Sequence, residues 1–427
     1  MTLEELKQKW KFIEDALEGK GGFEDGSYLD KFAREDDDKY KERQKIATYT
    51  NFFKPKLNRY IGYIYKQKPN RFTNNKLIKL ILDNIDNKRN SANVFFSNFA
   101  TNAKAFGCNL VLVDMPKELP STLQEQIQTR ALPFVREVKP YSIVEYKIDN
   151  YGNFDYIVFE DTIDNSTFGN KKIIKVNRYY DKTNWIVFDD ENNIIDKGEH
   201  NLGITPILLF SENDKLSLGE FSQIADLQKK HYNLNSELDE IMRGQTFPIL
   251  TLQASFVERD LTLSTNNALL YEKDAERPNY IAPPTAPADI YERRIKAIEK
   301  QIDDIAFDIS TNQSQESGIA LTLKFQGLNS SLSKFAQRVE DFELRVFEVI
   351  FRYLGMPFDI EITYTKEFSI VDIQKEIGIF EEMKDLINSP TYNVIKAMQI
   401  VSNDLGSVGQ DKLTAIQQEI EDSYKES

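Results

Sequence analysis

Residues 290–309 read Ile290-Tyr-Glu-Arg-Arg-Ile-Lys-Ala-Ile-Glu-Lys-Gln-Ile-Asp-Asp-Ile-Ala-Phe-Asp-Ile309. Isoleucine recurs in this stretch at alternating intervals of three and four residues, at Ile295, Ile298, Ile302, Ile305 and Ile309. That spacing places the five side chains on one face of a helix, and an all-isoleucine seam of this kind packs against another helix. The stretch therefore predicts a helix that needs a helical partner.

A second seam upstream offers such a partner. Its apolar face keeps the same rhythm through Ile224, Leu227, His231, Leu234, Leu238 and Ile241. Ser217 and Glu220 stand three residues apart, as in a capping box, and predict that this helix begins near Leu218. Gly244 is predicted to end it. Between the two helices, residues 246–280 favour β-strands.

A third and longer helix is predicted over residues 319–354, after the polar segment 311–318. Its apolar positions are Leu328, Leu332, Phe335, Val339, Phe342, Val346 and Val349. At 1.5 Å per residue, such a helix would be roughly 50 Å long. The alternating residues 358–364 then predict a strand, and the chain after Ile370 reads as helical.

The first 210 residues divide into a helical part and a β part. Apolar residues from Phe52 to Ile64 form an amphipathic stripe, and a helix over residues 90–106 is closed by Gly107. The apolar run 109–114 suits a buried strand. From residue 140 to 210 strands and hairpin signals dominate. The predicted fold class is therefore α+β and mainly helical.

The 427-residue chain has the length of two or three domains and an apolar content of 41%, as in ordinary globular proteins. Its formal net charge is −14, which argues against a protein that coats nucleic acid by neutralising phosphates. The lone Cys108 excludes an intrachain disulfide and is interpreted as a small buried hydrophobic residue. Because no long apolar stretch occurs and Met1–Lys20 is charged throughout, we expect neither a membrane span nor a signal peptide.

The motifs of common enzyme classes are missing from the sequence. There is no P-loop, no dinucleotide-binding glycine motif and no zinc-binding pattern of His and Cys. Asp303 with Asp304, or the run Asp36–Asp38, could supply nuclease ligands, but surface carboxylates are common among 68 acidic residues. His231 lies on the helical seam and is interpreted as a core histidine. We therefore expect no enzymatic activity, no cofactor and no metal.

The order of segments resembles that of tailed-bacteriophage portal proteins, the ring subunits through which DNA enters and leaves a capsid. Four stretches carry the likeness. The first two are residues 40–69, with Asn51-Phe-Phe-Lys-Pro-Lys-Leu57, and Phe106-Gly-Cys-Asn-Leu-Val-Leu-Val-Asp-Met-Pro116. The others are Gly203-Ile-Thr-Pro-Ile-Leu-Leu-Phe210 followed by residues 227–252, which include Ser236, and residues 298–355, which contain Glu316-Ser-Gly-Ile-Ala-Leu321 and Gly327. The order and spacing of these four stretches resemble the family over most of the chain.

The resemblance implies a mainly helical portal fold with long stem and wing helices, a β-rich wing and a small β-containing clip. The implied ranges are a wing over 1–210, stem helices over 211–244 and 288–310, a clip over 245–287, a tunnel loop over 311–318, a long wing helix and strand over 319–369, and a crown over 370–427.

The resemblance also implies functional residues. The tunnel loop would touch DNA through Asn312, Gln313, Ser314, Gln315, Glu316 and Ser317. Subunits would pack in the stem through the five seam isoleucines together with Leu234, Leu238 and Ile241. Docking at the clip would use Phe247, Pro248, Leu250, Leu252 and Tyr271.

Twelve copies would form a closed ring at one capsid vertex, with double-stranded DNA passing through its channel without sequence preference. The implied protein partners are the terminase large subunit, head-completion or adaptor proteins, and the major capsid or scaffolding protein, with no membrane. The chain would reside in the virion, and in the host cytoplasm during assembly. A negatively charged channel repels phosphates and lets a duplex slide.

Two other interpretations share parts of this evidence. Another ring-forming phage component, or a cellular scaffold, would have the same helical seams and the same lack of catalytic motifs. A metal-dependent nuclease is the second alternative, and its activity would be abolished by changing Asp303 or Asp304.

Overall fold

The computed structural model describes residues 1–246, 249–251, 279–281, 286–307, 318–368 and, beyond these, chiefly 389–405 and 410–425. Helices and antiparallel sheets both contribute, so the fold is α+β, as the sequence predicts. The chain forms two compact units. The first comprises residues 1–57, 105–107 and the described part of 218–308, and the second comprises 58–104, 108–217 and the described residues from 318 onward.

The helices in the described ranges are α1 (Leu3–Glu18), α2 (Asp37–Ile46), α3 (Phe53–Ile64), α4 (Lys76–Asp83), α5 (Ala92–Phe106), α6 (Leu123–Thr129), α7 (Ser222–Thr246), α8 (Ala286–Ile305), α9 (Gly318–Leu354), α10 (Pro390–Leu405) and α11 (Gln410–Lys425). None of them combines the length and the apolar content that crossing a membrane requires. The predicted stripe on α3 is confirmed, because Phe53, Leu57, Tyr60, Ile61 and Ile64 are all buried.

The strands in the described ranges are β1 (Asn70–Phe72), β2 (Cys108–Asp114), β3 (Phe134–Val138), β4 (Ile143–Ile148), β5 (Phe154–Asp164), β6 (Ile173–Asp181), β7 (Asn184–Phe188), β8 (Ile194–Glu199), β9 (Ile207–Ser211), β10 (Ile249–Thr251), β11 (Asn279–Ile281) and β12 (Glu361–Thr363). They form a three-stranded sheet in the order β3-β2-β9, a five-stranded meander from β4 to β8, and the pairs β1-β12 and β10-β11.

In the first unit, α1 packs against α7 around the fully buried Trp10. Thr2 and Glu5 form a capping box that starts α1, because each side chain accepts a hydrogen bond from the other residue's backbone N–H. The Trp10 indole donates a hydrogen bond to the Phe106 carbonyl oxygen, 3.1 Å away. The end of α5 is thereby tied into the first unit.

The capping box predicted at Ser217 and Glu220 is wrong, because α7 begins at Ser222. The Ser222 hydroxyl donates to the Gly219 carbonyl oxygen at 2.6 Å, and the preceding residues form a turn. This turn lets the Gly219 backbone lie against Gly107, where an added Cβ would come within 1.9 Å of the Gly219 nitrogen. Close backbone packing therefore overrides the local capping signal. At its other end, α7 continues past Gly244 to Thr246.

Helix α8 is shifted towards the N-terminus relative to the predicted range 288–310. It begins at Ala286 with Pro287 in its first turn, where the missing amide hydrogen costs no hydrogen bond. It ends at Ile305, and Phe307 has a positive φ of 53°. The left-handed backbone at Phe307 stops the helix earlier than the isoleucine spacing predicts.

The second unit is built on β2, which is buried along nearly its whole length between β3 and β9. Helix α9 covers this sheet with an aromatic cluster in which the Phe99 and Phe342 rings stack at 5.0 Å and the Phe210 ring meets both edge-on. The 37 residues of α9 span roughly 55 Å. The predicted long helix is confirmed, and so are the strands and hairpins predicted from residue 140 onward, where β4 and β5 form an antiparallel hairpin.

Several strands of the second unit carry weak local signals. The predicted strand over 358–364 forms only at Glu361–Thr363, where it pairs with β1 nearly 300 residues away. Strands β1 and β3 were not predicted. Each depends on a partner strand for its hydrogen bonds rather than on a long apolar run of its own.

The pKa values of two half-buried aspartates in the second unit, Asp114 and Asp161, shift in opposite directions. Burial raises the pKa of Asp114, although its carboxylate accepts hydrogen bonds from the Met115 backbone N–H and the Tyr180 hydroxyl. Burial also acts to raise the pKa of Asp161, but ion pairs with Arg136 and Arg178 outweigh it and the net shift is downward. Ionised Asp114 therefore costs stability, whereas ionised Asp161 adds stability.

We expect Asp114→Asn to raise the free energy of unfolding at pH 7 by on the order of 1 kcal/mol, and Asp161→Asn to lower it by about 1–3 kcal/mol. Because the folded-state pKa of Asp114 is raised, the protein loses stability as pH rises through that pKa. Because the folded-state pKa of Asp161 is lowered, the protein loses stability as pH falls through that pKa. Both variants should therefore approach the wild type in acid. Urea unfolding between about pH 2 and pH 8 measures both effects, because the Asp161 contribution is lost only as pH falls below the ordinary carboxyl pKa of about 3.9. Equal losses from both substitutions at pH 7 would contradict this assignment.

Candidate assembly surface

Helices α7 and α8 form the helix pair predicted by the two apolar seams. They run antiparallel, since His231 Nε2 lies 3.3 Å from Glu299 Oε1, while Glu237, later on α7, accepts a hydrogen bond from Tyr291, earlier on α8. The seams interlock along this line, as the alternating spacing of three and four requires. The pair is the most extended helix–helix contact in the first unit.

The strands β10 and β11 continue the antiparallel pair beyond the helices. Ile249 is opposite Ile281, and Thr251 is opposite Asn279. The Thr251 hydroxyl donates to the Asn279 carbonyl oxygen at 2.9 Å. In the described residues, α7 pairs antiparallel with α8, and β10, which follows α7 in the chain, pairs antiparallel with β11, which precedes α8.

The seam residues are partly buried within the chain itself. Ile298 and Ile302 are 0% exposed and Ile295 is 8% exposed. The other described residues predicted to pack subunits are half-buried, namely Leu234, Leu238, Ile241 and Ile305. A charge at Ile302 would therefore destabilise the subunit fold before it affected contacts between copies.

An N-terminal clamp holds the inner face of α7, and no local sequence signal indicated it. The Arg43 guanidinium is 1% exposed, pairs with the Glu35 carboxylate and donates to the Ser236 hydroxyl at 3.2 Å. The Gln228 side chain accepts from the backbone N–H groups of Phe52 and Phe53 at 2.6 and 3.0 Å. The clamp therefore ties the N-terminal segment to the side of α7 that carries Gln228 and Ser236.

The solvent-facing sides of the helix pair differ in charge. On α8, Arg293, Lys296 and Lys300 are exposed and lie three or four residues apart, opposite the buried isoleucines. On α7, Asp239 and Glu240 are exposed near the end of the helix, where Glu240 lies 4.0 Å from the exposed Arg243. The pair thus carries a basic patch of three residues on α8 and two exposed carboxylates on α7.

The candidates for catalytic and metal chemistry are engaged in structural contacts. His231 is buried next to Glu299, its Nδ1 accepts a hydrogen bond from Asn235 at 3.0 Å, and burial lowers its pKa. Asp303 forms an ion pair with Lys56. Cys108 is fully buried, and burial raises its pKa to about 12, as its interpretation as a small hydrophobic residue predicts. Within the described ranges, no three His, Cys, Asp or Glu side chains are grouped as metal ligands.

The predicted channel residues, Asn312 to Ser317, lie outside the described residues, and so does Ile309. Of the predicted docking residues, Leu250 lies in β10 opposite Tyr280. Phe247, Pro248, Leu252 and Tyr271 also lie outside the described residues. Their proposed roles stay predictions.

In the second unit, a buried ionic cluster fixes the β1-β12 pair to α9. The Arg71 guanidinium forms a two-point ion pair with the Glu343 carboxylate, with distances of 2.5 and 3.0 Å. The Tyr364 hydroxyl donates to the same carboxylate at 2.6 Å, and the Tyr65 hydroxyl lies 3.1 Å from the Tyr364 hydroxyl. Every charged group in this cluster therefore has a partner.

No protein-family model and no curated protein matches the sequence. Among solved structures, the chain is similar to one in the virion of a native gene transfer agent particle, with a TM-score of 0.42 and 10% identity over 79% of this chain and 85% of that chain. It is also similar to one in the neck of an empty gene transfer agent particle computed with C6 symmetry, with a TM-score of 0.43 and 10% identity over 81% of this chain and 90% of that one.

Proposed function

We propose that this chain is a structural head–tail component of a phage-like particle, and specifically its portal subunit. In this proposal twelve copies form a ring at one capsid vertex, and the ring is the conduit for DNA packaging and ejection. The ring binds the terminase large subunit during packaging and binds head-completion proteins afterwards. The chain itself is no enzyme, and ATP hydrolysis belongs to the terminase.

The observation that carries the proposal is the order of elements, in which the paired helices α7 and α8 flank the paired strands β10 and β11 and the long helix α9 follows. Such an order suits two long helices with a small β-containing segment between them. In the proposal, the helices are the stem, the strands belong to the clip and α9 is the long wing helix. The order is the one that the resemblance implies, and both the helices and the strands pair antiparallel.

The charged faces of the helix pair supply a physical reason for ring formation. A ring joins one face of each subunit to a different face of the next, so its contact is heterologous. The basic patch on α8 of one subunit and the exposed carboxylates Asp239 and Glu240 on α7 of the next are complementary in charge. The net charge of −14 would otherwise disfavour the gathering of many copies, and complementary charge offsets that repulsion locally.

We expect Arg293→Glu/Lys296→Glu to abolish rings, and Asp239→Lys/Glu240→Lys to do the same. Each variant would bring like charges together at every contact. An equal mixture of the two should form rings again, because every contact between the alternating variants then joins opposite charges. Particle mass from analytical ultracentrifugation at physiological salt measures this.

Lys171→Glu/Lys172→Glu is the matched control for Arg293→Glu/Lys296→Glu, since it makes the same change of charge at exposed positions in the β5–β6 turn. It should leave rings intact. Rings of unchanged mass from either stem variant alone would contradict the role of these faces. If the control also fails to form rings, the loss of assembly comes from the change in net charge and not from these faces.

A further inference from the structure

A cleft of about 710 Å³ lies in the second unit, between α9 and the turn that joins β4 to β5. Its floor is made by β9 residues 209–211, and Tyr151, 89% exposed, stands at its edge. The helix α9 contributes one stripe of side chains at intervals of three and four residues: Lys334, Arg338, Asp341 and Arg345. This volume is typical of sites that accept a peptide side chain or a small molecule.

The three cations of this stripe differ in their hydrogen bonds and ion pairs. Arg338 donates to the Ser211 carbonyl oxygen at 2.8 Å and pairs with Asp214 at 3.2 Å. Lys334 and Arg345 have no hydrogen bond or ion pair with any residue that the structure describes. Elsewhere on α9, the charges of Glu340 and Glu343 are paired with Lys366 and Arg71. Of the cations that the structure describes on this helix, the two without a hydrogen-bond or ion-pair partner, Lys334 and Arg345, both line the cleft.

Arg345 is the more constrained of the two unpartnered cations. Its side chain is half-buried, and burial lowers the pKa of the guanidinium, partly offset by the nearby Glu348. A buried guanidinium is stabilised by an anion that restores the interactions lost with water. A carboxylate fits its planar donor set at two points.

We propose that this cleft binds an acidic segment of a protein partner, with a carboxylate on Arg345 and a second one near Lys334. Asp341, exposed between these two cations, argues for separate carboxylates rather than for a nucleic acid backbone, because a continuous row of phosphates would pass directly over it. The proposal goes beyond the portal function and does not require the ring.

The probe is a capped, fluorescein-labelled hexaglutamate peptide, and its binding to the full chain is followed by fluorescence anisotropy at low salt. We expect Lys334→Gln/Arg345→Gln to weaken binding at least tenfold and Arg345→Lys to weaken it less. Lys171→Gln/Lys172→Gln, which removes two exposed lysines from the same unit, should leave binding unchanged. Circular dichroism of each variant shows whether the fold is retained.

A labelled oligothymidylate of similar charge is the second probe. Tighter binding of the oligonucleotide, lost in the Lys334/Arg345 variant, would overturn the assignment to a protein segment in favour of nucleic acid. Hexaglutamate binding that is absent, or equal in wild type and variant, would overturn the site altogether. A chain that binds the peptide but forms no ring would leave this site standing and contradict only the portal proposal.

Discussion

Replacing Gly107 with alanine is expected to lower the free energy of unfolding by about 3–5 kcal/mol, the largest effect of any single methyl group that we foresee. Gly107 has a φ of +83°, which an L side chain rarely adopts. An added Cβ would also lie 1.9 Å from the Gly219 nitrogen, so the turn before α7 would have to move. Because backbone atoms rather than a flexible side chain are in the way, the strain has no easy relief.

Chemical denaturation of the purified protein, followed by circular dichroism, measures this loss. Gly62→Ala is the matched control, since Gly62 lies inside α3 and an added Cβ meets no atom within 4 Å. Alanine there should be neutral or stabilising by up to about 1 kcal/mol. Equal stability of the two variants would mean that the close approach of Gly107 and Gly219 does not hold in solution.

Arg71→Met is expected to cost a similar amount, about 3–5 kcal/mol, because it leaves the Glu343 carboxylate buried without its cation. Glu343 is 0% exposed, and the Tyr364 hydroxyl alone cannot replace a guanidinium that contacts both carboxylate oxygens. The double variant Arg71→Met/Glu343→Leu removes both charges and should recover much of the loss.

A double-mutant cycle from urea unfolding of the four proteins gives the coupling between the two residues. We expect the double variant to be more stable than Arg71→Met alone. Additive losses from the two single changes would show that the ion pair is not formed. Lys366→Met is a useful comparison, because its partner Glu340 is paired nearer the surface and a smaller loss is expected.

Sequence reasoning predicted the elements whose signals are local and repeated. The isoleucine seam of α8, the stripe on α3 and the length of α9 each repeat one pattern over three or more helical turns, so a one-residue error does not change the prediction. The hairpin between β4 and β5 has its turn residues directly between two apolar runs. The false capping box at Ser217 shows the limit, since a two-residue signal is overridden by one close backbone contact.

The contacts that were missed join residues far apart in the chain. Arg43 meets Ser236 across 193 positions, and Arg71 meets Glu343 across 272. The sequence contains 54 basic residues, and the neighbours of any one arginine do not indicate which distant residue it pairs with. The cleft beside α9 was missed for the same reason, because the lack of partners for Arg345 is a property of the folded surroundings and not of its neighbours in sequence.

The central claim, that copies of this chain close into a ring, is tested most directly by negative-stain microscopy of the purified protein with particle mass measured alongside. The account predicts rings with a central channel and a mass near twelve times 49.5 kDa, about 590 kDa. A compact dimer without a channel, or monomers at every concentration and salt tested, would contradict it.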